Sequence, residues 1–252
     1  MDELVLERLR VAAGARTLVE DATLRVGAGE IVALVGASGS GKTLTARAAL
    51  GLLPFTPGWV GGQIRVTTEG RVFTPRAEAD FRALRGGVLG LLWQDARGAL
   101  DPLRTVGAQV TAASRLAGDT GRPEDVLARV GFSDPAQVAR QHPHVLSGGM
   151  AQRAALAVAL ARRSRFLLAD EPTTGLDPSV QRGILAHLAA VAASGVGILF
   201  VTHDLRLLPG FASRVVVMDA GRTVEEAPTP GALVGHGRAL LDATRRIAGG
   251  AL

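Results

Sequence analysis

Gly36-Ala37-Ser38-Gly39-Ser40-Gly41-Lys42-Thr43 decides how this chain is read. An apolar run, Ile31-Val32-Ala33-Leu34-Val35, leads into it, and a stretch with helical character, Leu44 to Leu53, leads out. Strand, glycine-rich loop and helix thus meet at a G-x-x-x-x-G-K-[ST] joint. Glycines let the backbone curl with its N–H groups inward, and the positive end of the helix adds to them, so the loop forms a nest for phosphates. Lys42 is placed to reach the β- and γ-phosphates of a nucleotide, and the Thr43 hydroxyl to ligate Mg²⁺. Lys42 is also the only lysine in the chain, where arginine supplies the other long cationic side chains. A compact ammonium fits between phosphates where a broad planar guanidinium does not.

The remaining composition sets bounds. The chain has 252 residues and is 47% hydrophobic, enough for a substantial core. The formal net charge of +5 comes from scattered arginines, with no Lys/Arg block of the kind that forms a nucleic-acid arm. The absence of cysteine excludes disulfides, zinc–thiolate sites and iron–sulfur clusters, and fits a reducing compartment. Met1-Asp2-Glu3-Leu4 is acidic and opens no signal-peptide h-region. Ile184 to Val201 carries no formal charge and is long enough to raise the question of a membrane helix. Its Ser194, Gly195 and Gly197 divide it instead into a helix end and a buried strand, Val196 to Val201. The expectation is a cytosolic chain whose link to a membrane runs through a partner.

Upstream of the phosphate loop, Leu4 to Val11 and Asp21 to Val26 have strand character, with turns at Gly14-Ala15-Arg16 and Gly27-Ala28-Gly29. They predict a small antiparallel sheet beside the nucleotide. Pro54 to Gly62 is expected as a loop, Gln63 to Val66 as a returning strand, and Gly86 to Trp93 as a buried strand ending at Gln94-Asp95. Between Arg104 and Val145 the pattern is helical (Val106 to Leu116, Pro123 to Val130, Pro135 to Arg140), which predicts a helical insert. A helix from Met150 to Arg163, a strand from Phe166 to Ala169, and a late strand from Arg214 to Met218 follow. Strands alternating with helices argue for a mostly parallel sheet covered on both faces.

Four further features carry chemistry. Phe166-Leu167-Leu168-Ala169 ends in Asp170 and Glu171, acids at the strand end where open α/β sheets have their crevice. Asp170 is suited to holding Mg²⁺ through water, and Glu171 to polarising an attacking water as general base. Gln94 ends its own strand with an amide that can ligate Mg²⁺ and sense the γ-phosphate. His203 follows the run Gly197 to Thr202; alone it is a plain histidine after a strand, and beside a phosphate loop it is placed to hydrogen-bond the γ-phosphate. Leu146-Ser147-Gly148-Gly149 precedes a helix, with Ser147 as N-cap, and makes a second anion site for which a single chain holds no second nucleotide.

In this order the set resembles the ATP-binding cassette (ABC) family. The phosphate loop is Gly36 to Thr43, the glutamine loop lies at Gln94, and the signature runs from Leu146 to Gln152. The strand with its catalytic acid is Phe166 to Glu171, the D-loop is Gly175-Leu176-Asp177, and the switch histidine is His203. The resemblance implies a single α/β domain over 1–252, a RecA-like P-loop NTPase with a mostly parallel sheet, an antiparallel β subdomain and a helical subdomain insert. Core and β subdomain would take 1–103 and 147–252, and the helical subdomain 104–146. It further implies that ATP and Mg²⁺ are bound, that Thr43, Gln94 and Asp170 hold the metal, and that Glu171, His203 and Gln94 serve hydrolysis. Two cassettes would pair head to tail, with Ser147, Gly148 and Gly149 on the partner's nucleotide.

Leu50-Gly51-Leu52-Leu53-Pro54, Leu100-Asp101-Pro102-Leu103-Arg104-Thr105-Val106-Gly107 and Asp170-Glu171-Pro172-Thr173-Thr174-Gly175-Leu176-Asp177 are similar to ATP-binding subunits of dipeptide, oligopeptide and nickel importers. That implies a motor subunit at the cytoplasmic face of the cell membrane, with a second ATP-binding subunit (identical or different), two transmembrane permease subunits and an extracellular substrate-binding protein, and no nucleic acid. The cargo would be peptides, nickel or an opine-like metallophore. Met150 stands where the signature usually has Gln, and Ala13 where an adenine-stacking aromatic is usual. The alternative is a non-transport ATPase of the same type, acting on nucleic acid or in regulation. It needs tandem cassettes or a long coiled-coil insert, for which one motif set in 252 residues leaves no room. A guanine-specific NTPase is excluded, because the chain has no asparagine for an N-K-x-D reader.

Overall fold

The elements follow from local pattern. In the computed structural model, which describes residues 1–85 and 87–247, strands β1 (Glu3–Ala13), β2 (Arg16–Gly27) and β3 (Ile31–Val35) lead to helix α1 (Lys42–Ala49). Then come β4 (Pro57–Thr68), β5 (Arg71–Phe73), α2 (Glu78–Leu84), β6 (Leu89–Leu92), α3 (Ala96–Ala99), α4 (Val106–Leu116), α5 (Pro123–Arg129), α6 (Pro135–Arg140) and α7 (Gly148–Ala161). The chain continues through β7 (Phe166–Asp170), α8 (Pro178–Ala193), β8 (Gly197–Thr202), β9 (Arg214–Asp219), β10 (Arg222–Ala227) and α9 (Gly235–Ile247). Two compact units result. One takes Met1–Arg82 and the chain from Gly197 onward, the other Ala83–Val196.

In the first unit the strands lie in the order β5-β4-β1-β2-β10-β9-β3-β8. β1 is antiparallel to β2 and to β4, so Leu4 stands between Val26 and Val66. This is the expected antiparallel sheet. The strands that carry the site run parallel: Leu34 of β3 pairs with Val216 of β9 and Val201 of β8. Every residue of β3 and β8 is buried, as continuous apolar strands covered on both faces require. Arg214, at the start of β9, is a buried cation with several acceptors. It donates to Glu30 (2.8 Å), Glu226 (2.8 Å) and the Arg25 carbonyl (2.7 Å), joining β9 to its neighbours. Burial by itself would raise the Glu30 carboxyl, but the Arg214 guanidinium and the Gly27 N–H hold it below the usual carboxylate value.

Three expectations change here. The helix after the phosphate loop ends at Ala49 rather than Leu53, because Gly51 takes φ 64° and lies against Phe81, where a Cβ would come within 2.5 Å of the ring. Pro57 to Gly62 is strand, not loop. Pro57 begins β4 opposite Ala13, and that half of β4 pairs with β1 alone, so the missing N–H breaks no ladder. The strand expected from Gly86 begins at Leu89; Gly86 lies outside the described residues.

In the second unit β6 and β7 pair in parallel, with Leu92 opposite Ala169. Residues 104–146 carry α4, α5 and α6. Thr105 Oγ1 accepts from the Ala108 N–H to cap α4, and Asp134 Oδ1 accepts from Gln137 to cap α6. The buried Gln109 amide donates to the Asp101 and Arg104 carbonyls and accepts from the Asp101 N–H, fixing the turn before α4. Alanines 151, 154, 155 and 157 make α7 thin on its buried side, and α3, α4, α5, α8 and β6 all pack on it. The uncharged run from Ile184 divides as expected, α8 ending at Ala193 and β8 starting at Gly197. No helix among the described residues is long and apolar enough to cross a membrane.

Candidate functional site

Each unit gathers one part of the predicted set at the C-terminal ends of its parallel strands. In the first, Val35 of β3 lies opposite Thr202 of β8, so the phosphate loop and His203 leave adjacent strands at the same level. Gly36 fits closely, for a Cβ there would lie 2.1 Å from the Met218 carbonyl oxygen. Gly39 and Gly41 have φ of 81° and 105°, which side chains rarely adopt. Lys42 is buried, and its ammonium donates to the carbonyls of Gly36 (2.9 Å) and Ala37 (2.8 Å), with Ser40 Oγ at 3.5 Å. The Gly221 N–H, from the β9–β10 turn, donates to the Ser40 carbonyl and steadies the loop from outside. No acid stands in the first turn of α1. A loop with these backbone angles, one ammonium and a helix N-terminus fits a polyphosphate. Thr43 is partly exposed on the first turn.

His203 is exposed beyond β8. The next residue explains its rigid setting. Asp204 takes two hydrogen bonds from the Arg206 guanidinium, at 2.8 and 2.7 Å, and its own N–H donates to Thr202 Oγ1. Burial would raise the Asp204 carboxyl, but Arg206, with a smaller contribution from His203, holds it below the usual range. Asp204 stays ionised and caps the short helical turn Leu205–Leu207. This clamp escapes sequence reading, although an Asp two residues before an Arg just past a strand is a usable signal.

In the second unit the pairing of Leu92 with Ala169 places Gln94 and the Asp170-Glu171 pair at neighbouring strand ends. Asp170 is 2% exposed, Gln94 is exposed, and Glu171 is half-buried. Carboxylate and amide oxygens of this kind are the hard donors that Mg²⁺ takes. Glu171 has φ 46°, left-handed for a residue that has a Cβ. Its side chain accepts from Thr174 Oγ1 at 3.0 Å, a partner that sequence reading did not single out.

Ser147 N-caps α7, its Oγ accepting from the Met150 N–H at 3.3 Å. Ser147 and Gly148 are exposed. Gly149 fits against α8, since a Cβ there would lie 2.5 Å from Val180 Cγ1. Asp177 occupies the N-cap position of α8, exposed and making no side-chain cap. Arg153, one turn into α7, donates to the Gly131 carbonyl (2.8 Å) and lies 4.6 Å over the Phe132 ring, tying the signature helix to the end of α5. Burial, with the Arg153 charge nearby, lowers the pKa of His187, whose ring packs against Gly131.

The family model described as ABC transporter matches residues 19–174. A Brucella abortus protein, named provisionally as a peptide import ATP-binding protein, is 42% identical over 221 residues; the match spans 83% of this chain and 65% of that protein's length. The nickel import ATP-binding protein NikD of Brucella suis is 40% identical, spanning 84% and 80%. The oligopeptide transport ATP-binding protein OppD of Mycobacterium tuberculosis is 41% identical, spanning 84% and 35%. Among solved structures, a dimeric ATP-binding cassette in a post-hydrolysis state with ADP and Pi superposes with a TM-score of 0.74 at 23% identity, covering 89% of this chain and 98% of that one. CbiO1 of Clostridium perfringens, part of the ABC transporter complex CbiONQ, gives 0.73 at 24%, covering 98% and 93%. At these identities the structures speak for the fold, an α/β P-loop cassette; with the family model and the relatives, the chain belongs to the ABC transporter family.

Proposed function

We propose that this chain is the ATP-hydrolysing motor subunit of an ABC importer for peptides, nickel or an opine-like metallophore. The observation that carries the reading is the pairing of two anion-binding helix starts in one chain. One is the Lys42 loop before α1, the other the exposed Ser147-Gly148 start of α7. The relatives named for peptide and nickel import support the direction of transport and the cargo class.

In this reading the Gly36–Thr43 loop binds the phosphates of ATP, with Lys42 exchanging loop carbonyls for phosphate oxygens. Thr43, Gln94 and Asp170 would hold Mg²⁺, which would offset phosphate charge when bound. Glu171 orients and deprotonates the attacking water, and His203 donates to the γ-phosphate. Ser147, Gly148 and Gly149 contact the nucleotide of a second ATP-binding subunit, and Asp177 lies beside that interface. Two permease subunits and an extracellular substrate-binding protein complete the assembly, which places the chain at the cytoplasmic face of the membrane. Met150 and Ala13 make the site differ from the usual pattern; loss of adenine stacking lowers ATP affinity by about 1–3 kcal/mol. The test is capture of the tagged chain from its native membrane in mild detergent, with mass identification. Two multi-span subunits and a second cassette support the proposal; a soluble partner or nucleic acid in their place overturns the transport role.

A further inference from the structure

Resting on the assignment of Glu171 as general base, we infer that Thr174 is the residue that positions it. Glu171 leaves β7 with a left-handed backbone, φ 46°, and the chain turns at once. The Thr174 N–H donates to the Glu171 carbonyl at 3.2 Å, closing a four-residue turn. The Thr174 hydroxyl then donates to Glu171 Oε2 at 3.0 Å. One residue thus holds both the backbone and the carboxylate of the base. The turn is anchored in its own unit. Pro172 and Thr173 are buried, the Thr173 carbonyl accepts from Leu176 N–H (3.3 Å) and from Gln181 Nε2 of α8 (3.1 Å), and Gly175 takes φ 75°.

A left-handed conformation at a residue with a Cβ costs energy and persists where the surroundings fix it. Here those surroundings aim one carboxylate. With the hydroxyl on Oε2, rotation of the carboxylate is restricted. A general base one ångström out of place loses much of its effect. Thr174 touches neither nucleotide nor water in this account; it acts through Glu171.

The experiment is steady-state hydrolysis of Mg·ATP by the full chain, as wild type, Thr174→Val and Thr174→Ser. Valine keeps the shape and removes the hydroxyl, and serine keeps the hydroxyl. The expected result is a fall in kcat of about 10-fold for Thr174→Val, with KM for ATP within about 2-fold, and recovery to within about 2-fold of wild type for Thr174→Ser. Equal kcat for Thr174→Val and wild type overturns the positioning role and leaves the ATPase reading intact. So does a fall that serine fails to recover, or one that tracks a lower urea midpoint, since either assigns the effect to the fold. A wild-type chain that hydrolyses no ATP overturns the ATPase reading, and the inference falls with it.

Discussion

The roles proposed for Glu171 and Lys42 make sharp predictions. Glu171→Gln keeps size and hydrogen bonding but not basicity, so kcat should fall by about 10² to 10⁴ while ATP affinity holds. Phosphate-release kinetics and nucleotide titration read both quantities. Lys42→Arg keeps the charge but brings a planar fork into a space shaped by the Gly36 and Ala37 carbonyls. Equilibrium binding of ATP should weaken by about 1.5–3 kcal/mol, more than tenfold. At this scale the sequence is most legible where a residue type has one physical reason to be present. The only lysine in the chain, in a glycine loop after a buried strand, points to the role proposed for it, as do acids at the end of an apolar strand. Thr174 and the Arg206 clamp on Asp204 are not legible in the same way, because their partners are chosen by turn geometry.

At the scale of elements, Gly149 shows how a motif glycine serves packing as well as ligand approach. A Cβ at 149 meets Val180 at 2.5 Å, so Gly149→Ala should cost about 1–3 kcal/mol in urea unfolding. Adding Val180→Ala should return part of that loss, and a double-mutant cycle measures the coupling. The Arg214 network makes a second element-level prediction. Glu30 titrates lower when folded than its ordinary value of 4.5, so its contribution is full above that pH and is lost as pH falls through the folded value. The gap in urea midpoint between wild type and Glu30→Gln should therefore be largest near neutrality and shrink below about pH 4.5. Strands such as β3 and β8 are legible from unbroken apolar runs. The start of β4 is not, because Pro57-Gly58 reads as a turn unless one knows that this half of the strand has one neighbour.

For the whole molecule, we propose that this chain converts energy and that its partners choose the cargo. The scattered charge of +5 offers no arm for nucleic acid, and the relatives named for import support the proposed direction of the ATP cycle. The central claim is that this chain hydrolyses ATP through Glu171 while paired with a second cassette. The most direct test combines phosphate release with light scattering on the purified chain, wild type against Glu171→Gln, in Mg·ATP. The expected result is turnover by the wild type, and a Glu171→Gln chain that is nearly inactive and held by ATP as a pair. A Glu171→Gln chain that turns over ATP at the wild-type rate and does not pair would contradict it.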